Sequence, residues 1–364
     1  MKKEIKILKP SVQIKKALNR LNTRSENDVS SYGVVFLDNY LWGIEKGELV
    51  VIWGNTGNWK TELSYQMAME NIELWRKVLL VGVEGEEGDF YNRIIYRKTR
   101  EETGLWIVES RLNKGADTKK IKSIRKKYAR ILKEQLEEKF IYLDNTQITT
   151  WWDVELAVEQ LKTEEFVPDL IIVDHLHYIL DETKQELGEI TQTMKNIQIF
   201  IKKKQIWLVL FSHVNRSLWE ARPRLHELHW SSSIEKIAFT VIMIHKRDRE
   251  DDDQVSINAI WNEEIRLVTE FNILKSRKWL WQLRFCTVFD PNTRRFLDNK
   301  QNIWVYYLDD TDDGGELLNN LNLSFTKFKK KVEQKEKLPL NDELPVETKE
   351  IKLDDEWDPI LTLN

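Results

Sequence analysis

Short apolar runs alternate with longer amphipathic stretches along this chain. Residues 49–52 (LVVI), 77–83 (KVLLVGV), 140–143 (FIYL), 169–174 (DLIIVD), 206–212 (IWLVLFS), 239–245 (FTVIMIH) and 267–274 (LVTEFNIL) have strand length and are mostly apolar. Such runs predict strands buried on both faces. Between them, Leu63, Met67 and Ala68 recur at helical spacing, residues 89–137 are long, charged and helical in character, and 153–162 and 185–204 predict further helices. Residues 283–289 and those from 296 onward predict a closing hairpin, and 213–236 read as a polar segment with turns. Strands joined by helices imply an α/β fold, a mostly parallel central sheet with helices on both faces. The pattern divides the chain into an arm (1–31), a folded body (32–308) and a tail (309–364). In the arm Val12, Ile14, Ala17, Leu18 and Leu21 approach helical spacing, which fits a solvated helix or one docked on a neighbouring subunit. DDTDDGG at 309–315 breaks the pattern, and the tail is expected to be largely disordered, with a short helix near 324–336.

Ligands of such sheets bind outside the carboxyl ends of the strands. Gly54–Thr61, Glu84, Asp174 and His213 all fall at strand ends of that kind. The first follows a strand and opens a helix: Gly54, Asn55, Thr56, Gly57, Asn58, Trp59, Lys60, Thr61. This is the layout of a phosphate-binding loop, in which backbone N–H groups surround the phosphates, the lysine reaches the β and γ oxygens, and the threonine hydroxyl holds Mg²⁺. Gly54, Lys60 and Thr61 satisfy G-x-x-x-x-G-K-[ST], but Trp59 replaces the second glycine, and its indole is expected to fill the phosphate site.

Hydrolysis of ATP on this loop needs more groups. Asp174 is placed to hold the Mg²⁺ water shell, Glu84 to polarise the attacking water, and His213 to sense the γ-phosphate through a hydrogen bond. Arg277, or Lys275, is a candidate finger reaching into a neighbour's site. Taken singly, a strand-end acid is as readily a cap or turn, His213 a structural histidine, and Lys275 and Arg277 a solvated face. Their order along the chain is what favours chemistry.

Composition narrows the setting. The single cysteine, Cys286, excludes a disulfide framework and fits a cytoplasmic, reducing location. No apolar run approaches the ~18 residues of a membrane span, so no membrane partner is expected. The net charge of −4 hides an asymmetry, because residues 309–364 hold 15 acids and 8 bases and leave the body mildly basic. Such a body permits nucleic-acid binding without requiring it. Glycine is scarce at 13 residues where about 25 is usual for this length, and tryptophan is abundant at 15.

Six segments in order resemble the RecA-like motor of DnaB-type (superfamily-four) replicative helicases. LDNYLWGIEKGELVVI resembles that family's entry to the phosphate loop, VGVEGEE its catalytic-glutamate segment, and PDLIIVDHLHYI its magnesium-aspartate segment. LFSHVNRS resembles its sensor, LHWSSSIEKIAFTVIMIHKRD the strand entry that follows, and ILKSRKWLWQLRFCTVFDPNTRRF its Lys-x-Arg and closing hairpin. The resemblance, over roughly 35–300, implies a RecA-like P-loop NTPase, with ATP and Mg²⁺ as cofactors, moving along single-stranded DNA as a ring, a homo-hexamer with each Arg277 at a neighbour's ATP. It also implies that Arg222, Arg224 and His226 face a central channel and touch the strand's phosphates. Full-length members carry an N-terminal helical or primase domain, for which residues 1–31 leave room only for a linker helix. A RecA/KaiC-like ATPase or recombinase on the same core, and a catalytically dead scaffold if Trp59 is genuine, stand as alternatives. The acidic tail, ending KLDDEWDPILTLN, is a solubilising segment or a dock for a replication-protein partner.

Seven tryptophans, at 42, 53, 59, 75, 230, 279 and 281, fall where that family has, or readily takes, glycine. One cause covers all seven and the composition: the source genome reads UGA as glycine, and the written chain shows it as tryptophan.

Overall fold

The computed structural model describes residues 28–82, 85, 88–103, 118–179, 187–213, 268–278, 303–307 and 316–317, with parts of 10–18, 234–246 and 283–297. The chain separates into two units, 1–329 and 330–364, and all described residues lie in the first. Two short strands, β1 (Val29–Ser30) and β2 (Ile44–Glu45), pair antiparallel around helix α1 (Val35–Leu41). Then come β3 (Leu49–Gly54), α2 (Lys60–Glu73), β4 (Val78–Gly82), α3 (Asp89–Thr103), α4 (Thr118–Leu136) and β5 (Phe140–Leu143). Helix α5 (Trp151–Thr163), β6 (Leu170–Asp174), α6 (Leu187–Lys204), β7 (Trp207–His213) and β8 (Thr240–Lys246) follow. The chain closes with β9 (Val268–Ser276), β10 (Leu283–Asp290), β11 (Arg295–Phe296), β12 (Ile303–Tyr307) and β13 (Glu316–Leu317).

The main sheet has the order β13-β12-β10-β9-β8-β3-β7-β6-β4-β5, with β11 paired to β10. From β5 to β8 every neighbouring pair is parallel, and from β9 onward the strands run antiparallel. The expected mostly parallel sheet with a closing hairpin is therefore present. Strand alternation divides the apolar side chains into two cores. Val50 and Ile52 of β3, Leu80 of β4 and Val209 of β7 face one core, where α1, α2, α3, α4 and the aromatic rings Phe285, Phe289 and Phe296 pack. Leu49, Val51 and Val81 face the other, against Val154 and Val158 of α5 and Met194 and Ile197 of α6. Helices cover both faces, so the strands must be apolar on both, which is why they read as continuous runs.

Three features differ from the sequence reading. The charged stretch 89–137 forms two helices, α3 and α4, tied where Lys127 Nζ and the Tyr128 hydroxyl both donate to Glu102 (2.8 and 2.7 Å), and 104–117 lie outside the described residues. Helix α1 was not anticipated, because its seven residues are too few for periodicity to show. Backbone pairing continues past residue 308, with Trp304 and Val305 of β12 opposite Leu317 and Glu316. An edge strand leaves free N–H and C=O groups that pair with any extended segment nearby, whatever the composition of the intervening loop. The short helix expected near 324–336 and the rest of the tail lie outside the described residues.

Candidate nucleotide-binding site

The phosphate-loop segment leaves β3 at the centre of the sheet, between β7 and β8, with Gly54 in register with His213 on one side and Ile244 on the other. A side chain at Gly54 would bring its Cβ to 2.8 Å from the Ile244 carbonyl, so the loop can leave the strand this tightly only with glycine there. Asn58 fastens the loop to β8 by donating from Nδ2 to that same carbonyl (3.1 Å). Lys60 is buried, and its ammonium donates to the carbonyls of Gly54 (2.8 Å) and Asn55 (2.9 Å). It also lies 3.0 Å from Nδ1 of His213, which accepts; the Thr56 hydroxyl lies 3.5 Å from the same nitrogen. The structure thus brings the loop, Lys60 and His213 into one site. Leu63 N–H bonds the Trp59 carbonyl (3.0 Å), so α2 starts directly at the loop and turns its N-terminal, anion-favouring end toward it.

Asp174 ends β6, with β7 between it and the loop strand, and is buried. Its Oδ2 accepts from Ser64 Oγ at 3.3 Å, and Ser64 stands one helical turn beyond Lys60 on α2. Asp174 and Ser64, with Thr61 in the first turn of the same helix as Ser64, are hard-oxygen donors. They suit Mg²⁺ held jointly with phosphate and water rather than a site built wholly of protein ligands. Among the described residues no group of three or more His, Cys, Asp or Glu is placed to hold a metal.

Several residues at this end were not singled out from sequence. The ring of His175 packs edge-on against His213 (centroids 4.2 Å apart, 90°), and His177 lies 5.2 Å from His175. These imidazoles flank the sensor position and were legible only as neighbours of Asp174. Ser64 carried a signal in its i+4 spacing from Lys60. Glu62 is almost fully buried and binds Arg93 of α3 (2.5 Å) and Arg294 of the β10–β11 turn. Burial works against the charge on Arg93, but Glu62, Tyr65 and Asp89 beside it raise its pKa overall.

Trp59 departs from expectation. Its backbone is left-handed (φ 60°, ψ 22°) at the N-terminus of α2, and its indole stacks on Phe289 (4.2 Å, 13° between planes) with Lys246 Nζ 5.9 Å from the ring centre. The ring leans onto the hairpin side of the core instead of filling the loop, because Phe289 offers it an aromatic face.

Lys275 and Arg277 lie elsewhere. β9 runs antiparallel to β8, with Ser276 opposite Thr240, whereas the loop is level with Ile244. Four strand residues, about 13 Å, separate the two levels along the sheet. Lys275 Nζ donates to the Ala238 carbonyl (2.9 Å) and Arg277 Nη2 to that of Lys236 (2.5 Å). Glu84, Arg222, Arg224 and His226 lie outside the described residues, as do Trp230, Trp279 and Trp281.

Residues 31–298 match the family described as DnaB-like helicase C terminal domain. The chain is 26% identical over 281 residues to a probable replicative DNA helicase of Trieres chinensis, covering 74% of this chain and 57% of that protein. It is 23% identical over 244 residues to the replicative DNA helicase DnaB of Rickettsia bellii (strain RML369-C), covering 64% and 48%. The chain therefore spans about half the length of these curated relatives. Among solved structures, one described as an ATPase domain superposes with a TM-score of 0.62 at 13% identity, covering 79% of this chain and 98% of that one. A DnaB-like replicative helicase, studied with its interactions with primase, gives 0.63 at 13%, covering 81% and 68%. These two likenesses are of fold, the RecA-like sheet with its flanking helices.

Proposed function

The chain belongs to the DnaB-like helicase C terminal domain family, and on that premise we propose that it is an ATP-driven translocase on single-stranded DNA that works as a homo-hexameric ring in replication. The observation that carries the proposal is the position of Lys60, buried in the loop and shared between two loop carbonyls and His213. An ammonium held this way is placed to exchange carbonyl oxygens for the β and γ oxygens of ATP. His213 then stands one hydrogen bond from the group that moves, which suits a γ-phosphate sensor. Thr61 and Asp174 are the residues that would hold Mg²⁺, which neutralises phosphate charge when bound. Glu84 is the base in this reading, Arg277 and then Lys275 the cations for a neighbour's site, and Arg222, Arg224 and His226 the contacts to DNA phosphate.

Ile14 and Leu18 of the arm are exposed and one helical turn apart, which supports a helix that docks on the adjacent subunit. The buried, lone Cys286 suits a reducing cytoplasm, and no described helix is long and apolar enough to cross a membrane. The charge of the acidic tail suits a solubilising segment first, and a dock for a replication protein as the alternative. The relatives named above are replicative helicases, which favours this reading over a recombinase and over an inert scaffold.

The reading takes position 59 to be glycine in the working protein, through UGA read as glycine in the host. Its test is ATP hydrolysis by the Trp59→Gly chain, with and without single-stranded DNA. DNA-stimulated turnover that Lys60→Ala abolishes is the expected outcome. A Trp59→Gly chain that binds no nucleotide would sink the proposal; a chain with Trp59 in place that turns over ATP as fast would leave the ATPase standing and remove only the need for glycine at 59.

A further inference from the structure

We propose that the residues written as tryptophan at 42 and 75, like that at 59, are glycine in the functioning protein, and that a left-handed backbone beneath a tryptophan side chain is what marks them. For position 59 the inference rests on the working-loop reading above; at 42 and 75 it stands independently of it. Six described residues other than glycine have positive φ, and three are tryptophans: Trp42 (55°), Trp59 (60°) and Trp75 (63°). Only a few per cent of non-glycine residues adopt such angles, mostly Asn, Asp and His, because Cβ crowds the carbonyl oxygen. Three of the eight tryptophans whose backbone is described do so here.

The hydrogen bonds at two of them define a helix ending that favours glycine. At the end of α2, Trp75 N–H reaches the Ile72 carbonyl (2.9 Å) and Arg76 N–H reaches back to that of Asn71 (3.1 Å). At the end of α1, Gly43 N–H reaches the Asp38 carbonyl (3.1 Å), with left-handed Trp42 just before it. A bond spanning six residues around one left-handed residue is the Schellman helix ending, whose left-handed position glycine favours. Glu165 and Gln205 end α5 and α6 the same way (Phe166 N–H to the Leu161 carbonyl, 2.9 Å; Ile206 N–H to that of Ile201, 3.3 Å), so what singles out 42 and 75 is a large, mostly exposed ring at such a position. Both indoles are mostly exposed, Trp42 at 57% and Trp75 at 62%, the latter beneath Lys139 Nζ, so neither is a core side chain. Trp59 is left-handed at a helix N-cap, a place usually held by an extended Ser, Thr, Asp or Asn, and makes no side-chain cap bond.

Other tryptophans look different. Trp53 is buried within β3, Trp151 is buried in the first turn of α5, and Trp207 is buried beneath Lys46 and Arg76. None has positive φ. The expectation of glycine at Trp53 therefore has no support from its backbone, which is ordinary strand, and the inference does not extend to it.

The pattern assigns a partner of definite chemistry: a glycine-charged tRNA whose anticodon pairs with UGA, in a host that does not terminate at that triplet. The gene and the protein from its own cells test it together. UGA at codons 42, 59 and 75, with glycine in the corresponding peptides by mass spectrometry, is the expected result. UGG at 42 and 75 overturns this inference, and leaves the loop reading intact if 59 is UGA and glycine. Glycine at 42 and 75 with tryptophan at 59 upholds it for the two helix endings while the working-loop reading falls. Tryptophan in all three peptides overturns both, whichever codon encodes it.

Discussion

Replacing Trp42 by glycine and, separately, by alanine isolates the cost of the left-handed backbone from the loss of the indole. Both substitutions remove the same exposed ring, but only glycine removes the Cβ that conflicts with φ 55°. A left-handed residue with a Cβ costs about 1–2 kcal/mol. Glycine gives back about 0.5–1 kcal/mol through its greater freedom in the unfolded chain. Trp42→Gly is thus expected to exceed Trp42→Ala by about 1 kcal/mol, or about 2–4 °C in Tm for a domain of this size. The same pair at position 75 gives the same glycine–alanine gap. There glycine gains less over tryptophan, because the indole lies under Lys139 Nζ (3.5 Å to the ring centre), an interaction of about 0.5–1 kcal/mol. Urea unfolding at constant slope reads the difference directly. If alanine matches glycine at both positions, the left-handed conformations carry no strain and the argument from backbone to residue identity is wrong.

Two further outcomes follow from particular contacts. Burial alone would raise the Asp153 carboxyl, but four hydrogen bonds from Thr149 and Thr150 outweigh it and hold it below the ordinary carboxylate range. A depressed folded value means stability that is present above the unfolded pKa and lost as pH falls through the folded one. Asp153→Ala should therefore cost about 1 kcal/mol at neutral pH, and its deficit should shrink below about pH 4; urea midpoints at pH 7 and 3 that show a constant deficit would contradict this. In the Trp59→Gly background, Arg277→Ala should lower kcat by about 10³-fold or more, and mixing it with Lys60→Ala subunits should restore part of the rate. Mixed rings with no recovery would mean that Arg277 does not serve a neighbour's nucleotide.

Much of the fold was legible because burial on both faces leaves a simple mark. β3, β4, β6, β7 and β8 are all within two residues of the apolar runs that predict them. Helix α1 was not, since seven residues span barely two turns and its N-cap, Val34, makes no side-chain cap bond; the preceding segment is held instead by Asp38 within the helix, which accepts from Tyr32 N–H (2.6 Å) and the Ser31 hydroxyl (2.6 Å). In the site, Lys60, His213 and Asp174 were found because strand ends meet at one edge of a parallel sheet. The direction of the Trp59 ring was not legible, because Phe289 lies 230 positions away and reaches it only after the hairpin has closed. Ser64 and the paired histidines were missed for a related reason: they act on a residue already chosen, and only contact distances reveal that.

The antiparallel turn at β9 has a consequence for assembly. Within one chain the cations Lys275 and Arg277 are level with the start of β8, while the phosphate loop is level with its end. No side-chain rotation spans that separation, so a phosphate held by Lys60 cannot also meet Arg277 of the same chain in this arrangement. A charge-stabilised transition state then requires a second copy or does without these cations. Both ends of β8 are fixed: Arg277 N–H bonds the Phe239 carbonyl (3.2 Å) just before the strand, and Asn58 bonds the Ile244 carbonyl within it. One short strand thus joins the level of Lys275 and Arg277 to the level of the loop, and its fixed ends hold the two about 13 Å apart.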